Sequence, residues 1–411
     1  INDFPNSVYE TAAYYDLGWA NYERGNFDDA IENFQAVLTL APRGSRSDRA
    51  LFQVAESYGK LEDHDRALVY LDRLIDRYDF DAMTEEELIE MTTMKLKGLV
   101  EETARELVAK AQLKKGDIFA DRGLVEEALA AYQVVPERYA AEAVLVENSH
   151  YKVAELIHES RGMDAAVSSY KSAITDVESR RFQAKTQLTI ARLMFDEGKY
   201  EDAAAEYRVY LSAYPDQAVR LGFQEDKVLL RLGNCSQFAG QDKSASDPEG
   251  SQTFLDQAIT HYERLLEEYP ESPLREDAVF GLGFTHQLKG NNDQARSQFT
   301  RLVKDAADHA AAPNALMQLA RIAFEENDFG QAEDHYRKFV ERYDDSKLVN
   351  SVHMELGLTY ERMRKYPEAI SSFSKIDESW EQWPKIQVKG AELHMALQQY
   401  SEAEAVLAKA M

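Results

Sequence analysis

A single cysteine, Cys235, stands in the 411 residues of this chain. No disulfide can close within it, so a disulfide-held scaffold is excluded, and such sparing use of cysteine fits a cytosol or a bacterial periplasm. Basic residues are also in deficit: 47 Lys and Arg against 73 Asp and Glu give a formal net charge of −26. Phosphate backbones and anionic membrane surfaces need a positive face, so no nucleic acid and no direct membrane partner is expected. No apolar run approaches the roughly 18 residues of a spanning helix, and no signal-peptide pattern is visible. Motifs of catalysis are missing too: no phosphate-binding Gly-rich loop ending in Lys-Ser/Thr, no HExxH and no GxSxG. Asp305, Asp308 and His309 have no second group of ligands near them in sequence, and read as a solvated linker. Asn234-Cys235-Ser236 matches a glycosylation sequon but falls within an expected helix, where Cys235 reads as a buried structural thiol. No catalytic, cofactor-binding or metal-binding residues are therefore expected, and the chain is not expected to be an enzyme.

What the chain does have is one pattern repeated ten times. A small residue is followed by an alanine, and four positions later by a large aromatic residue or leucine. The small residues are Gly18, Ala55, Gly116, Ala154, Ala191, Gly233, Gly283, Ala320, Gly357 and Ala391. The alanines are Ala30, Ala67, Ala128, Ala166, Ala203, Ala258, Ala295, Ala332, Ala369 and Ala403, and the large residues begin with Phe34 and end with Leu407. Two helices approach closely only where side chains are small, and a large side chain one turn on fills the adjacent gap. Between small residue and alanine lie turns such as Arg24-Gly25-Asn26 and Lys289-Gly290-Asn291, in which glycine suits the left-handed residue that ends a helix. Each copy reads as helix A, tight turn, helix B.

With Leu17-Gly18, Tyr22, Phe27, Ala30, Phe34 and Pro42 in the first copy, this unit resembles the tetratricopeptide repeat. The resemblance covers most of the chain. It implies an all-α, right-handed superhelix of about ten helix pairs, a solenoid that buries a long core without one centre. The expected repeats lie near 11–44, 48–81, 109–142, 147–180, 184–217, 226–272, 276–309, 313–346, 350–383 and 384–411. Most consecutive alanines are 37 apart, as from 166 to 203 and from 258 to 295, against the usual 34. The extra residues form linkers such as 267–273, which look like those of bacterial envelope repeat proteins of the BamD and Tol–Pal-associated kind. Two intervals are longer. Residues 84–106, opening on a capping box from Thr84 to Glu87, are expected to be an extra helical segment. Residues 240–251, rich in Gly, Ser, Asp and Pro, are expected to be an exposed loop inserted in the sixth repeat. The start at Ile1 and the absence of a polar capping helix after Met411 are what a fragment of a longer protein, or an end covered by a partner, would give.

In this repeat family helix A lines the groove. Positions six before, three before, one after and four after the small residue share one helix face. They assemble two candidate clusters for binding a peptide. One is Tyr15, Trp19, Tyr22 and Phe52; the other is Arg192, Phe195, Phe280, Phe284, Met317, Arg321, Phe324 and Met354. Exposed aromatic, methionine and arginine side chains in a concavity are the composition of peptide anchors. A tail-carboxylate clamp found in some members needs Lys and Asn on successive A helices. Lys227 and Arg231 match its last step, but Tyr151, Glu155 and Thr189 break the earlier ones, so that specificity is not expected.

The function expected from these features is a protein-interaction scaffold that captures a segment of a partner protein in its groove, in bacterial envelope assembly. The location expected is periplasmic or outer-membrane-associated, with a cytoplasmic one as the alternative. Two alternative functions stand beside it: a self-associating solenoid whose ends stack, and the non-catalytic adaptor part of a larger enzyme or regulatory protein.

The charge balance yields a prediction. With 26 more acids than bases, repulsion between neighbouring turns opposes compaction, and the Debye length falls from about 10 Å at 0.1 M salt to about 3 Å at 1 M. Surface ion pairs lost to the same screening are worth only about 0–1 kcal/mol each. The thermal midpoint should rise between low salt and 0.5 M sodium chloride, beyond the rise given by an uncharged osmolyte of matched excluding strength. A flat or falling midpoint would show that the acids are already paired or too far apart.

Overall fold

The computed structural model describes residues 9–43, 46–78 and 103–410. Every regular element among them is an α-helix. The chain divides into two compact units, residues 1–190 and 191–411.

In the first unit the repeats are the pairs α1 (Glu10–Glu23) and α2 (Phe27–Leu40), α3 (Ser47–Lys60) and α4 (His64–Asp76), α5 (Thr103–Asp121) and α6 (Val125–Arg138), and α7 (Ala143–Arg161) and α8 (Met163–Asp176). The division between units falls within α9 (Arg180–Asp196). The second unit continues with α10 (Tyr200–Ala213), a short α11 (Pro215–Arg220), α12 (Glu225–Lys243) and α13 (Pro248–Glu268). Then come α14 (Arg275–Leu288), α15 (Asn292–Asp305), α16 (Ala312–Glu325) and α17 (Phe329–Arg342). The last four are α18 (Val349–Arg362), α19 (Tyr366–Phe373), α20 (Trp383–Ala396) and α21 (Tyr400–Ala410).

The small-to-large pairing of the sequence is the central contact of each repeat. All ten motif alanines are buried, nine of them completely. The large ring four residues on lies flat against the small residue of helix A. At Gly18 an added Cβ would meet the Phe34 ring at 2.7 Å; at Gly116 it would meet Tyr132 at 2.3 Å, and at Gly357 it would meet Phe373 at 2.2 Å. Gly233 against Tyr262 and Gly283 against Phe299 leave as little room, 2.5 and 2.8 Å. Glycine is required there for the approach of the ring.

The turn from helix A to helix B places a residue seven after the small one at positive φ, which Gly25, Gly123, Gly198 and Gly290 adopt freely. Glu62, Asn327, Arg364 and Gln398 hold the same conformation without glycine. The turn is thus set by packing of the two helices, and glycine is one way of meeting it.

The sixth repeat corrects the expected loop at 240–251. Gly240, which holds the turn position by count, continues α12, and 248–251 open α13, so the turn shrinks to residues 244–247. The physical reason is a longer hairpin. Ser251 Oγ donates to the Gly240 carbonyl at 2.7 Å, and Leu255 packs where a Cβ on Gly240 would sit. Asp247 caps α13 by accepting from Gly250 N, and Pro248 sits in its first turn. The Gly, Ser, Asp and Pro of this stretch serve close packing and capping. The rest of the long interval is α11, whose insertion the sequence reading did not separate. Of the expected extra helical segment at 84–106, residues 84–102 lie outside the described residues, and 103–106 begin α5.

The glycine contacts predict opposite signs for one substitution. Alanine gains up to about 1 kcal/mol over glycine in a helix, but overpacking costs about 1–3 kcal/mol. Gly357→Ala and Gly116→Ala should lower the urea midpoint of unfolding. Gly390→Ala, where an added Cβ meets nothing within 4 Å, should raise it. Equal shifts at Gly357 and Gly390 would mean the rings do not press on helix A.

Candidate functional site

The expected binding residues lie on six A helices, α1, α3, α9, α14, α16 and α18, and most of them are at work inside the protein. In the first cluster Trp19 Nε1 donates to Tyr15 Oη at 3.0 Å, and Tyr15 meets the Phe34 ring edge-on at 5.6 Å. Trp19 and Tyr22 stand edge-to-face at 5.7 Å, and Tyr22 does the same to Phe27 at 5.5 Å. Phe52 joins the same core from α3. All four stay partly exposed while packed on one side, and Tyr15, Trp19 and Tyr22 are in mutual contact.

The second cluster is not one surface. Phe280, Phe284, Phe324 and Met354 pack together against the core of the second unit, with Phe280 and Phe284 stacked at 6.2 Å. Phe324 meets Phe329 edge-on at 5.4 Å, and the Arg362 guanidinium lies 5.9 Å from its ring centre. Phe195 belongs elsewhere, in a trio with Tyr200 and Phe238 at 5.3 and 5.7 Å. Met317 is only 5 % exposed and is part of that core, which removes it from the candidate anchors. α16 packs against both α15 and α17, and Met317 is among its buried residues.

Arg321 also departs from its expected role. Its Nε lies 3.0 Å from both carboxylate oxygens of Glu355 on α18, and its Nη2 is 2.5 Å from Oε1. Tyr336 of the intervening helix α17 donates its hydroxyl to Glu355 Oε2 at 2.6 Å. The arginine is held by the fold and is not free to anchor a ligand. Burial and the Glu355 charge together raise the Tyr336 phenol, so it remains a donor at any physiological pH.

This is one rung of a ladder that the sequence reading missed. The residue one after a small position pairs with the residue two before the small position of the next repeat. Glu56 takes Lys114 at 3.0 Å, and Asp117 takes Lys152 at 2.7 Å. The Tyr132 hydroxyl donates to Asp117 at 2.8 Å, as Tyr336 does to Glu355. Charges of opposite sign at these two offsets were the signal available in the sequence.

Other polar candidates have local uses. Lys227 Nζ donates to the Gly222 carbonyl, so the residual match to a carboxylate clamp is spent on a turn. Asp308 pairs with Arg342 at 3.4 Å, and His309 Nδ1 accepts from Ala311 N at 3.2 Å. Cys235 is 1 % exposed, and burial pushes its thiol up to about 12, so it stays protonated and unreactive. It lines a cavity of about 260 Å³ between α10, α12 and α13, with Tyr200, Arg208 and Phe254.

The Arg321–Glu355 rung can be measured. Glu355→Gln leaves a half-buried guanidinium and the Tyr336 hydroxyl without their carboxylate, and should cost about 1–2 kcal/mol in a urea melt. Glu341→Gln, on an exposed pair whose side chains are 60 % and 68 % accessible, should cost under about 0.5 kcal/mol. Equal small effects would reduce the rung to a surface pair.

No curated protein matches the chain in sequence. Family profiles described as tetratricopeptide repeat match residues 11–43, residues 49–79 and 255–272, and residues 289–347 and 317–384. Solved structures similar to the chain include a tetratricopeptide repeat protein from Parabacteroides merdae, 14 % identical with a TM-score of 0.42 over 64 % of this chain and 91 % of that one. PilF of Pseudomonas aeruginosa is 13 % identical with a TM-score of 0.41, over 56 % of this chain and 90 % of that one. Human IFIT1, solved as a dimer with m7Gppp-AAAA, is 14 % identical with a TM-score of 0.41, over 100 % of this chain and 91 % of that one. The matched profiles and the packed helix pairs among the described residues make this chain a member of the tetratricopeptide repeat family.

Proposed function

We propose that this protein is a non-catalytic scaffold that captures an extended or helical segment of a partner protein along its A helices, within bacterial envelope assembly. Tetratricopeptide repeats generally bind proteins or peptides, and no helix among the described residues is long and apolar enough to cross a membrane. The observation that carries the finer reading is the stacked pair Phe280 and Phe284, with Phe324 packed against the same core from the next helix A. These three rings, on two consecutive A helices, stay partly exposed while packed on one side. A rigid apolar platform of this kind is the pre-ordered half of an interface, because its rotamers are already fixed. The 37-residue period and its linkers support the envelope setting, as does the near absence of cysteine.

The reading is tested by site-specific photocrosslinking in cells. A photoreactive phenylalanine analogue at position 284 or 324 should crosslink one discrete partner, and the same group at the exposed helix-B position Arg337 should not. Phe284→Ala should reduce capture at position 324 at least tenfold, since central aromatic anchors commonly cost about 2 kcal/mol when truncated. Stronger crosslinking from position 337 would move the working face to the B helices.

A further inference from the structure

Where one repeat meets the next, two places come together. One is the residue after the motif alanine of helix B. The other is the residue three after the small residue of the following helix A. At the step from α17 to α18 they are Glu333 and Tyr360, and the Tyr360 hydroxyl donates to Glu333 at 3.3 Å. In the first unit the same places read Ile31 and Tyr58, Leu68 and Phe119, and Leu129 and Ile157. The step from α10 to α12 carries Ala204 and Ser236, both small, whereas every other step has at least one large side chain there.

The cavity of about 260 Å³ lies at that step, and Ala204 and Ser236 both line it. Tyr200 of α10 and Phe254 of α13 give its wall two aromatic rings. Both rings are held. Tyr200 stacks on Phe238 at 5.2 Å. Lys243 Nζ lies 4.6 Å from the centre of the Phe254 ring and pairs with Glu201 at 2.6 Å. The wall also has a buried polar group. Ser236 is 3 % exposed, and its hydroxyl makes no hydrogen bond among the described residues. A serine inside a helix ordinarily returns its hydroxyl to the carbonyl four residues back, as Ser57 does to Gln53. The Ser236 hydroxyl is thus left for whatever enters the cavity.

A cavity of about 150 Å³ admits benzene, so this one admits a single ring with a substituent, and it is smaller than the roughly 300 Å³ of the least drug-sized pockets. We propose that the cavity between α10, α12 and α13 is a binding site for one phenol ring, whose hydroxyl exchanges a hydrogen bond with Ser236. The ring buries apolar area against Ala204, Ala239 and the two aromatic side chains of the wall. Its O–H can donate to a serine hydroxyl or accept from one. The repeat itself places a ring here at other steps, with Tyr58, Phe119 and Tyr360. The phenol comes from a free small molecule or from a tyrosine of another protein, and the chemistry of recognition is the same. The site does not rest on the capture reading above, because Phe280, Phe284 and Phe324 do not line the cavity.

The experiment follows the alanine methyl resonances of the full chain by NMR, with those of Ala204 and Ala239 assigned through Ala204→Ser and Ala239→Ser. The probes are p-cresol for a free phenol, N-acetyltyrosine amide for a tyrosine side chain, and toluene as the ring without a hydroxyl. p-Cresol should shift both methyls saturably and bind about threefold or more tighter than toluene, the worth of one hydrogen bond. Ser236→Ala keeps the space and removes the hydroxyl, so it should bring p-cresol down to the affinity of toluene. Saturable binding of N-acetyltyrosine amide as well assigns the site to a partner's tyrosine, and binding of p-cresol without it assigns the site to a free small molecule. Ala204→Val and Ser236→Met each restore a large side chain, so each should raise the thermal midpoint and abolish probe binding. No saturable shift with either phenol, equal affinity for toluene and p-cresol in the native chain, or a lower midpoint for both filling variants would overturn the site. Phenol binding without crosslinking at position 284 would overturn the capture reading and leave the site standing.

Discussion

The structure depends on a flat ring from helix B resting on a residue of helix A that has almost no side chain. In five repeats that residue is glycine, and a methyl group there would stand 2.2–2.8 Å from ring carbon. Phe34, Phe299 and Phe373 all lie on glycine, whereas Leu71 and Leu407 stand opposite alanine. The flat face of a ring lets the helices close further than a branched side chain does, and interiors tolerate neither overlap nor void. Each such contact feeds a core that runs on through neighbouring repeats, as from Val279 to Leu393 in the second unit, and the array grows by extending it.

Once this contact fixes the rotation of helix A about its axis, two further consequences follow. One offset of helix A faces the next helix A, and charged residues at that offset find each other, as Asp117 finds Lys152. The large residue of helix B, when it is tyrosine, carries its hydroxyl to the edge of the pair. A core aromatic and a surface ion pair thus become one network.

Much of this was legible in the sequence. The ten copies, the helix-pair unit and the burial of every motif alanine follow from a local rule. Small and large residues at fixed spacing in a helix hairpin can meet in one way only. The long interval in the sixth repeat was misread because Gly, Ser, Asp and Pro mark loops, caps and close contacts alike. Gly240, Asp247, Pro248 and Ser251 act in the last two ways.

The sequence by itself determined the repeat, its period and the residues on the A-helix face. The tertiary structure decided which of those face residues remain free. Met317 and Arg321 belong to the expected face, yet one is buried and the other is held by Glu355, 34 residues away. Phe284 and Arg192 share that face and stay partly or fully exposed. The difference arises between repeats, from the register of one helix A against the next. A pattern read within a single repeat carries no record of that register, because the contacts that set it join residues more than thirty positions apart.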